Sequence, residues 1–366
     1  MTNNGLPGNG SEGVAFGLSA PEAQEASDSW DYSDGLGLVV DAEAHGQRLD
    51  RFLSQWFGSQ SRARLQQWIA AGAVTIDGQP ARKSSQLVKQ GQSVWAIAPE
   101  PEPSGDWLAE SIPLALVYED EDILVVNKQA GLVVHPAAGH ASGTLLNGLL
   151  WHQPELRHLP RAGIVHRLDR DTTGLMVVAK TLEAQTNLVR QLQARTMGRQ
   201  YLALAWGAIE SDWVAQGPIG RDPADRQRMA VVAEGSGKPA WTAFSPVAHG
   251  AIGTKPVTLL RCSLKTGRTH QIRVHLEYAR APIVGDPSYR KTAPRPEGVT
   301  LSRQALHAYA LALTHPTTSA PLQFQAEPPI DFLAQLAQAA IPWPLQRLGP
   351  SANPLANPLA TPTANP

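Results

Sequence analysis

Gly163-Ile-Val-His166-Arg167-Leu-Asp169-Arg170-Asp171-Thr-Thr-Gly174-Leu-Met-Val-Val-Ala-Lys180 sets a knot of charge between two apolar runs. Leu175 to Ala179 is a continuous apolar run of strand length, the pattern of a strand covered on both faces. Packing gives no reason to concentrate His166, Arg167, Asp169, Arg170 and Asp171 beside it. A carboxylate held among guanidinium groups stays ionised and oriented at neutral pH, which suits a nucleophile or a ligand anchor. The competing reading is a plain charged turn closed by Thr172-Thr173-Gly174. The rest of the chain decides between them.

Composition narrows the classes. The 366 residues suffice for two or three domains and at least one sizeable core. A single cysteine, Cys262, excludes an intramolecular disulfide framework and a cysteine-based zinc site. No apolar run approaches the roughly 18 to 20 residues of a membrane span, and the first 47 positions carry no Lys or Arg, unlike a secretory signal. A soluble, cytoplasmic protein without membrane contact is expected. The net charge of −1 conceals strong segregation. Residues 1–45 hold eight acids and no Lys or Arg, and residues 99–122 repeat that count. Residues 46–98 carry seven bases against two acids, and residues 123–349 carry twenty-four against fourteen. Two basic blocks alternating with acidic connectors suit a polyanionic partner.

Residues 1–35 lack periodicity and read as a disordered acidic head, and the Asn-Pro-rich stretch 350–366 reads as a low-complexity tail. Between them, 46–98 reads as a compact module. Leu49, Phe52, Leu53 and Trp56 have helical spacing. Ser61 is placed to cap a second helix with Leu65, Trp68 and Ile69 inside and Gly72 at its end. Val74 to Ile76 followed by Asp77-Gly78 predicts a hairpin, and Val94 to Ile97 a later strand. Arg48, Arg51, Arg62, Arg64, Arg82 and Lys83 fall outside the apolar positions. This helix–helix–hairpin order, with Ser61-Arg62, Leu65-Gln66, Ile69, Gly72 and Val74, resembles the S4-type RNA-binding domain. The resemblance implies RNA contacts from Arg48, Arg51, Arg62 and Arg64. Residues 99–111 read as an acidic, Pro-rich linker.

A second domain is expected over 112–346. Ile123 to Val126, Leu132 to Val134, Tyr201 to Trp206 and Val257 to Leu264 read as strands, and Leu182 to Arg195 has helical spacing. Strands and helices mix without βαβ alternation, so the fold class is α+β. Several motif matches fail on context. Gly8-Asn-Gly10-Ser-Glu-Gly13 has no strand before it. Lys265-Thr-Gly267 and Ser288-Tyr-Arg-Lys291 stand in the wrong order for a penicillin-binding protein. His166-Arg-Leu-Asp169 has no kinase companions. His270 and His275 are five apart, off the i, i+4 ligand spacing, so no metal is expected.

Two more elements stand beside the opening stretch: Arg199-Gln-Tyr201-Leu-Ala-Leu-Ala-Trp-Gly207, and Leu264-Lys265-Thr-Gly267-Arg268-Thr-His270-Gln-Ile-Arg273-Val-His275. The second carries basic groups through a Gly turn into a helix start, where phosphates bind readily. In this order the three resemble the bacterial ribosomal large-subunit pseudouridine synthases with an N-terminal S4 domain. Asn127-Lys128, Gly131 to Pro136 and Pro282 to Pro287 with Tyr289 add to the likeness. The resemblance implies the pseudouridine synthase fold, a mixed and largely antiparallel sheet, preceded by the small α/β S4-type domain. It also implies isomerisation of uridine to pseudouridine in structured RNA, most simply 23S rRNA, without cofactor. The sequence does not fix the oligomeric state, for which a monomer is the simplest expectation. Asp169 is then the catalyst, as a nucleophile at the ribose or as a base at C2′, with Arg273 its ion-pair partner. Tyr201 stacks on the target base, Arg167 fills the place of the flipped base, and Arg268 and Lys265 contact RNA. A catalytically inert RNA binder and a magnesium-dependent phosphoesterase using Asp169 and Asp171 are the alternatives.

Overall fold

The computed structural model describes residues 36–56, 62–70, 72–96, 107–136, 142–225, 228–289 and 297–344. The head 1–35, the tail 350–366, the cap position Ser61 and the side chains of Arg62 and Arg64 lie outside the described residues.

The N-terminal elements are β1 (Leu36–Val39), α1 (Leu49–Trp56), α2 (Arg62–Ala70), β2 (Val74–Ile76), β3 (Gln79–Pro80) and β4 (Ser93–Ala96). The four strands form an antiparallel sheet in the order β1-β4-β2-β3. Leu49, Phe52 and Leu53 from α1 meet Leu65, Trp68 and Ile69 from α2 and Val74, Ile76 and Val94 from the sheet in one buried cluster. That is the face which helical spacing marks. At the hairpin tip Asp77 (φ 51°) and Gly78 (φ 78°) both adopt left-handed backbone, the geometry a two-residue hairpin loop requires.

The larger sheet is built from β5 (Leu116–Glu119), β6 (Ile123–Lys128), β7 (Thr173–Ala179), β8 (Gly198–Trp206), β9 (Trp213–Arg221), β10 (Met229–Val231), β11 (Lys238–Ile252), β12 (Lys255–Leu264), β13 (Leu306–Thr314) and β14 (Pro321–Gln325). The order is β10-β9-β11-β12-β8-β13-β7-β6-β5, with β14 also on β13. Among the described residues only the β13–β7 pair is parallel. The fold is α+β, as the irregular strand–helix pattern implies, and its sheet is largely antiparallel, as the resemblance implies. The apolar run of the opening stretch is the fully buried β7. Its alternate residues serve two cores: Met176 and Val178 join one with Leu124 and Val126, while Leu175, Val177 and Ala179 join the other with Ile123 and Val125. Helices α3 (Leu145–His152), α5 (Gln271–Tyr278) and α6 (Ile330–Gln338) contribute to the first core, and α4 (Leu182–Gln193) covers the second. Among the described residues no helix is long and apolar enough to cross a membrane.

Leu132 to Val134 departs from the strand reading: the segment is irregular. Leu132 and Val134 are buried as their apolar character demands. Their backbone serves other groups, however. The carbonyls of Val133 and Val134 accept the first amides of α3 (2.8 and 3.1 Å), and Lys128 Nζ donates to the Leu132 carbonyl (2.9 Å). Satisfying a helix start and a buried ammonium replaces a sheet ladder here.

Candidate active site

The Asp169 loop is fixed from several sides. It leaves the tight turn Pro160–Gly163, in which Arg161 and Ala162 take left-handed backbone (φ 52° and 50°), and enters β7 at Thr173. Asp169 and Thr172 close it with a backbone hydrogen bond of 3.0 Å. His166 Nε2 accepts the Val177 amide (3.1 Å), tying the stretch to β7. Lys128, only 2% exposed, donates to the carbonyls of Gln129, Leu132 and Arg170 at 2.9, 2.9 and 2.7 Å. Arg303 donates to the Asp171 carbonyl (3.1 Å) while its fork grips Asp331 at 2.8 and 2.8 Å. Gln304 reaches Thr172 Oγ1 (3.1 Å). A buried ammonium satisfied by three carbonyls is a rigid staple, because releasing it would strand a charge. Gly174 (φ 116°) completes the frame: a Cβ there would stand 2.3 Å from the Ala308 carbonyl oxygen.

Asp169 stays partly open, with 16% of its side chain exposed. Arg273 Nη1 donates to its Oδ2 at 3.0 Å across 104 residues of chain. The same guanidinium donates through Nε and Nη2 to Asp286 at 2.7 and 3.0 Å. Asp286 also accepts the amides of Ser288 and Tyr289, both at 2.9 Å. Burial alone would discourage the charge on Arg273, but the hydrogen bonds and charges of Asp286 and Asp169 outweigh it and raise the pKa. The Arg273 guanidinium is thus a fixed positive charge, anchored by one carboxylate and presented to the other. Its planar fork reaches both at once. Its Cζ also lies 4.8 Å from the centre of the buried Tyr289 ring.

The other candidates fall as follows. Tyr201 lies on β8, 6% exposed, opposite Cys262 and Ala308. It belongs to the large buried cluster that also holds Leu168 and Ile272, the neighbours of Asp169 and Arg273. Arg167 is half-buried near His135. Burial first, and the Arg167 charge second, push the His135 pKa down to about 3. Lys265 is exposed with Nζ 4.1 Å from the Trp241 ring, and Arg268 Nε donates to the Pro239 carbonyl (2.9 Å). Both sit on the turn before α5. Arg51 is exposed on α1, whereas Arg48 forks onto the buried Asp50 at 3.1 and 3.0 Å, with Gln66 on the same carboxylate. The positions with structural weight to which the sequence alone assigns no role are Asp286, Lys128, Arg303 and Tyr289. For Asp286 the signal is a lone carboxylate at the end of the apolar run Ile283-Val284-Gly285. The other three stand among polar neighbours that mark nothing.

Residues 122–278 match the family model of RNA pseudouridylate synthase, and residues 47–94 match the S4 domain. The ribosomal large subunit pseudouridine synthase D of Nitrosomonas europaea is 48% identical over 322 residues, covering 87% of this chain and 92% of that protein. The protein of the same name from Pseudomonas aeruginosa is 49% identical over 303 residues, covering 80% and 92%. That from Xanthomonas campestris pv. campestris is 43% identical over 320 residues, covering 84% and 93%. With its charged loop, its buried arginine and its S4 module, this chain belongs to the S4-bearing pseudouridine synthases and is an isomerase of that family.

Proposed function

We propose that this synthase isomerises uridines of structured large-subunit (23S) rRNA, with Asp169 as the catalyst. The observation that carries the reading is the partly open Asp169 carboxylate held by a buried arginine that a second carboxylate anchors. A carboxylate kept ionised and aimed serves as a covalent or base catalyst. Acting at the ribose, as nucleophile or as base at C2′, Asp169 permits cleavage of C1′–N1. The uracil turns and rejoins through C5, and the C5 proton is lost as N1 gains one. Atoms balance without cofactor or energy input.

A base inside folded RNA must leave its stack, at a cost of a few kcal/mol. Arg167, two residues before Asp169, fills the vacated place. Tyr201 offers an aromatic face to the flipped uracil. Lys265, Arg268 and the basic residues Arg48, Arg51, Arg62 and Arg64 contact backbone phosphates. The chain divides into the S4-type module 46–98, the acidic linker 99–111 and the catalytic domain 112–346. It works as a cytoplasmic monomer.

The test is the full chain with uridine-labelled, unmodified large-subunit rRNA in excess chelator, followed by nucleoside analysis. Pseudouridine appears. Bound but unmodified RNA would instead mark an inert binder, and activity lost to chelator a metal-dependent enzyme.

A further inference from the structure

The second oxygen of the Asp169 carboxylate has a neighbour to which the isomerisation chemistry gives no task. His270 stands where the turn Lys265–Thr269 enters α5, with left-handed backbone (φ 56°, ψ 21°). Its Nε2 lies 3.9 Å from Asp169 Oδ1, while Arg273 takes Oδ2. Its Nδ1 lies 2.8 Å from the hydroxyl of Tyr289. That hydroxyl accepts the Met229 amide at 2.9 Å.

The hydroxyl decides the tautomer. Tyr289 is fully buried, and burial raises its pKa, so it remains a neutral O–H. Its one proton needs an acceptor, because a buried donor left unmet costs about 1–3 kcal/mol. The Met229 amide is itself a donor, so the acceptor among the described partners is His270 Nδ1. The imidazole therefore carries its proton on Nε2, the nitrogen facing Asp169. The Tyr289 ring in turn lies against the guanidinium groups of Arg273 and Arg228, 4.8 and 4.9 Å from its centre. Arg228 is held by Glu277 of α5. One buried phenol thus registers both groups that flank the carboxylate.

We propose that His270 is a positioning residue for Asp169: Tyr289 holds it as the Nε2–H tautomer, and that N–H closes onto Oδ1 when RNA fills the site. With Arg273 on Oδ2, the closure fixes the rotation of the carboxylate about Cβ–Cγ. The two oxygens then meet the ribose in one orientation. A separation of 3.9 Å suits a hydrogen bond that tightens only with substrate in place.

The proposal rests on Asp169 being the catalyst, and Asp169→Asn in the same assay tests that premise separately. The deciding pair is His270→Asn and His270→Gln in the full chain. Asparagine accepts left-handed backbone but is too short to reach Oδ1, whereas glutamine restores the reach of an N–H donor. With uridine-labelled rRNA, His270→Asn lowers kcat by about tenfold or more while KM stays within about threefold, and His270→Gln recovers most of the loss. Wild-type kcat in His270→Asn, equal loss in both variants, or an effect on KM alone would overturn it. Independently of turnover, the ¹⁵N-histidine spectrum of the full chain shows His270 protonated on Nε2 alone. A proton on Nδ1 would overturn the tautomer and the proposal with it.

Discussion

At the scale of single residues, the site turns on how one guanidinium is shared. Arg273 spends two donors on Asp286 and one on Asp169, and its burial makes that division rigid. Burying ions is costly, and removing one partner of a buried pair costs about 3–5 kcal/mol because the other charge is left uncompensated. Asp286→Ala should therefore lower stability by about that amount in urea unfolding and also depress turnover. A variant with unchanged midpoint and full activity would show that Asp286 does not hold Arg273. The ion pair of Arg273 with Asp169 follows from the family resemblance. Asp286 does not, because its partner lies across a helix and a turn, and only the folded backbone brings four donors onto its two oxygens.

Elements place these residues, and here the sequence is legible wherever periodicity meets burial. Leu175 to Ala179 reads as a two-faced strand and becomes one, because its alternate side chains feed two separate cores. Leu49, Phe52 and Leu53 read as a helix face and pack as one. Leu132 to Val134 looks the same as a buried strand, yet its carbonyls are taken by α3 and Lys128. A short apolar run reports burial, and only long-range hydrogen bonding decides what its backbone does. The junction of the loop with β7 is the sharpest element-scale constraint. Gly174 combines left-handed φ with a carbonyl in the space a methyl would need. Gly174→Ala should cost roughly 2 kcal/mol or more and disturb the neighbouring Asp169 loop. A thermal midpoint equal to wild type would contradict that.

Over the whole molecule, charge and burial set the response to salt and pH. Removing residues 1–100 should weaken rRNA binding and flatten its salt dependence. The log–log slope should fall by about 0.7–0.9 for each phosphate that the module neutralises in the full chain. An unchanged slope would remove the basic module from the interface. Burial pushes the pKa values of His275 and His307 down to about 4 each. Between their ordinary value near 6.5 and about 4, the unfolded chain binds protons that the folded chain refuses. Stability is therefore fully present above about pH 6.5 and falls as pH drops, by up to about 1.4 kcal/mol per pH unit for each histidine. Asp120, pushed down to about 2 by its hydrogen bonds against the opposing effect of burial, adds its loss only below about pH 4. Urea midpoints at pH 7.5 and 5.0 check the sign, and a higher midpoint at pH 5.0 would refute it. The claim on which the rest depends is that Asp169 performs the isomerisation. Nucleoside analysis of large-subunit rRNA treated with the wild-type chain or with Asp169→Asn tests it most directly. Pseudouridine should form with the wild type and be absent with the variant, while the variant binds the RNA to within a few-fold of wild type. Pseudouridine formed by Asp169→Asn would contradict the assignment.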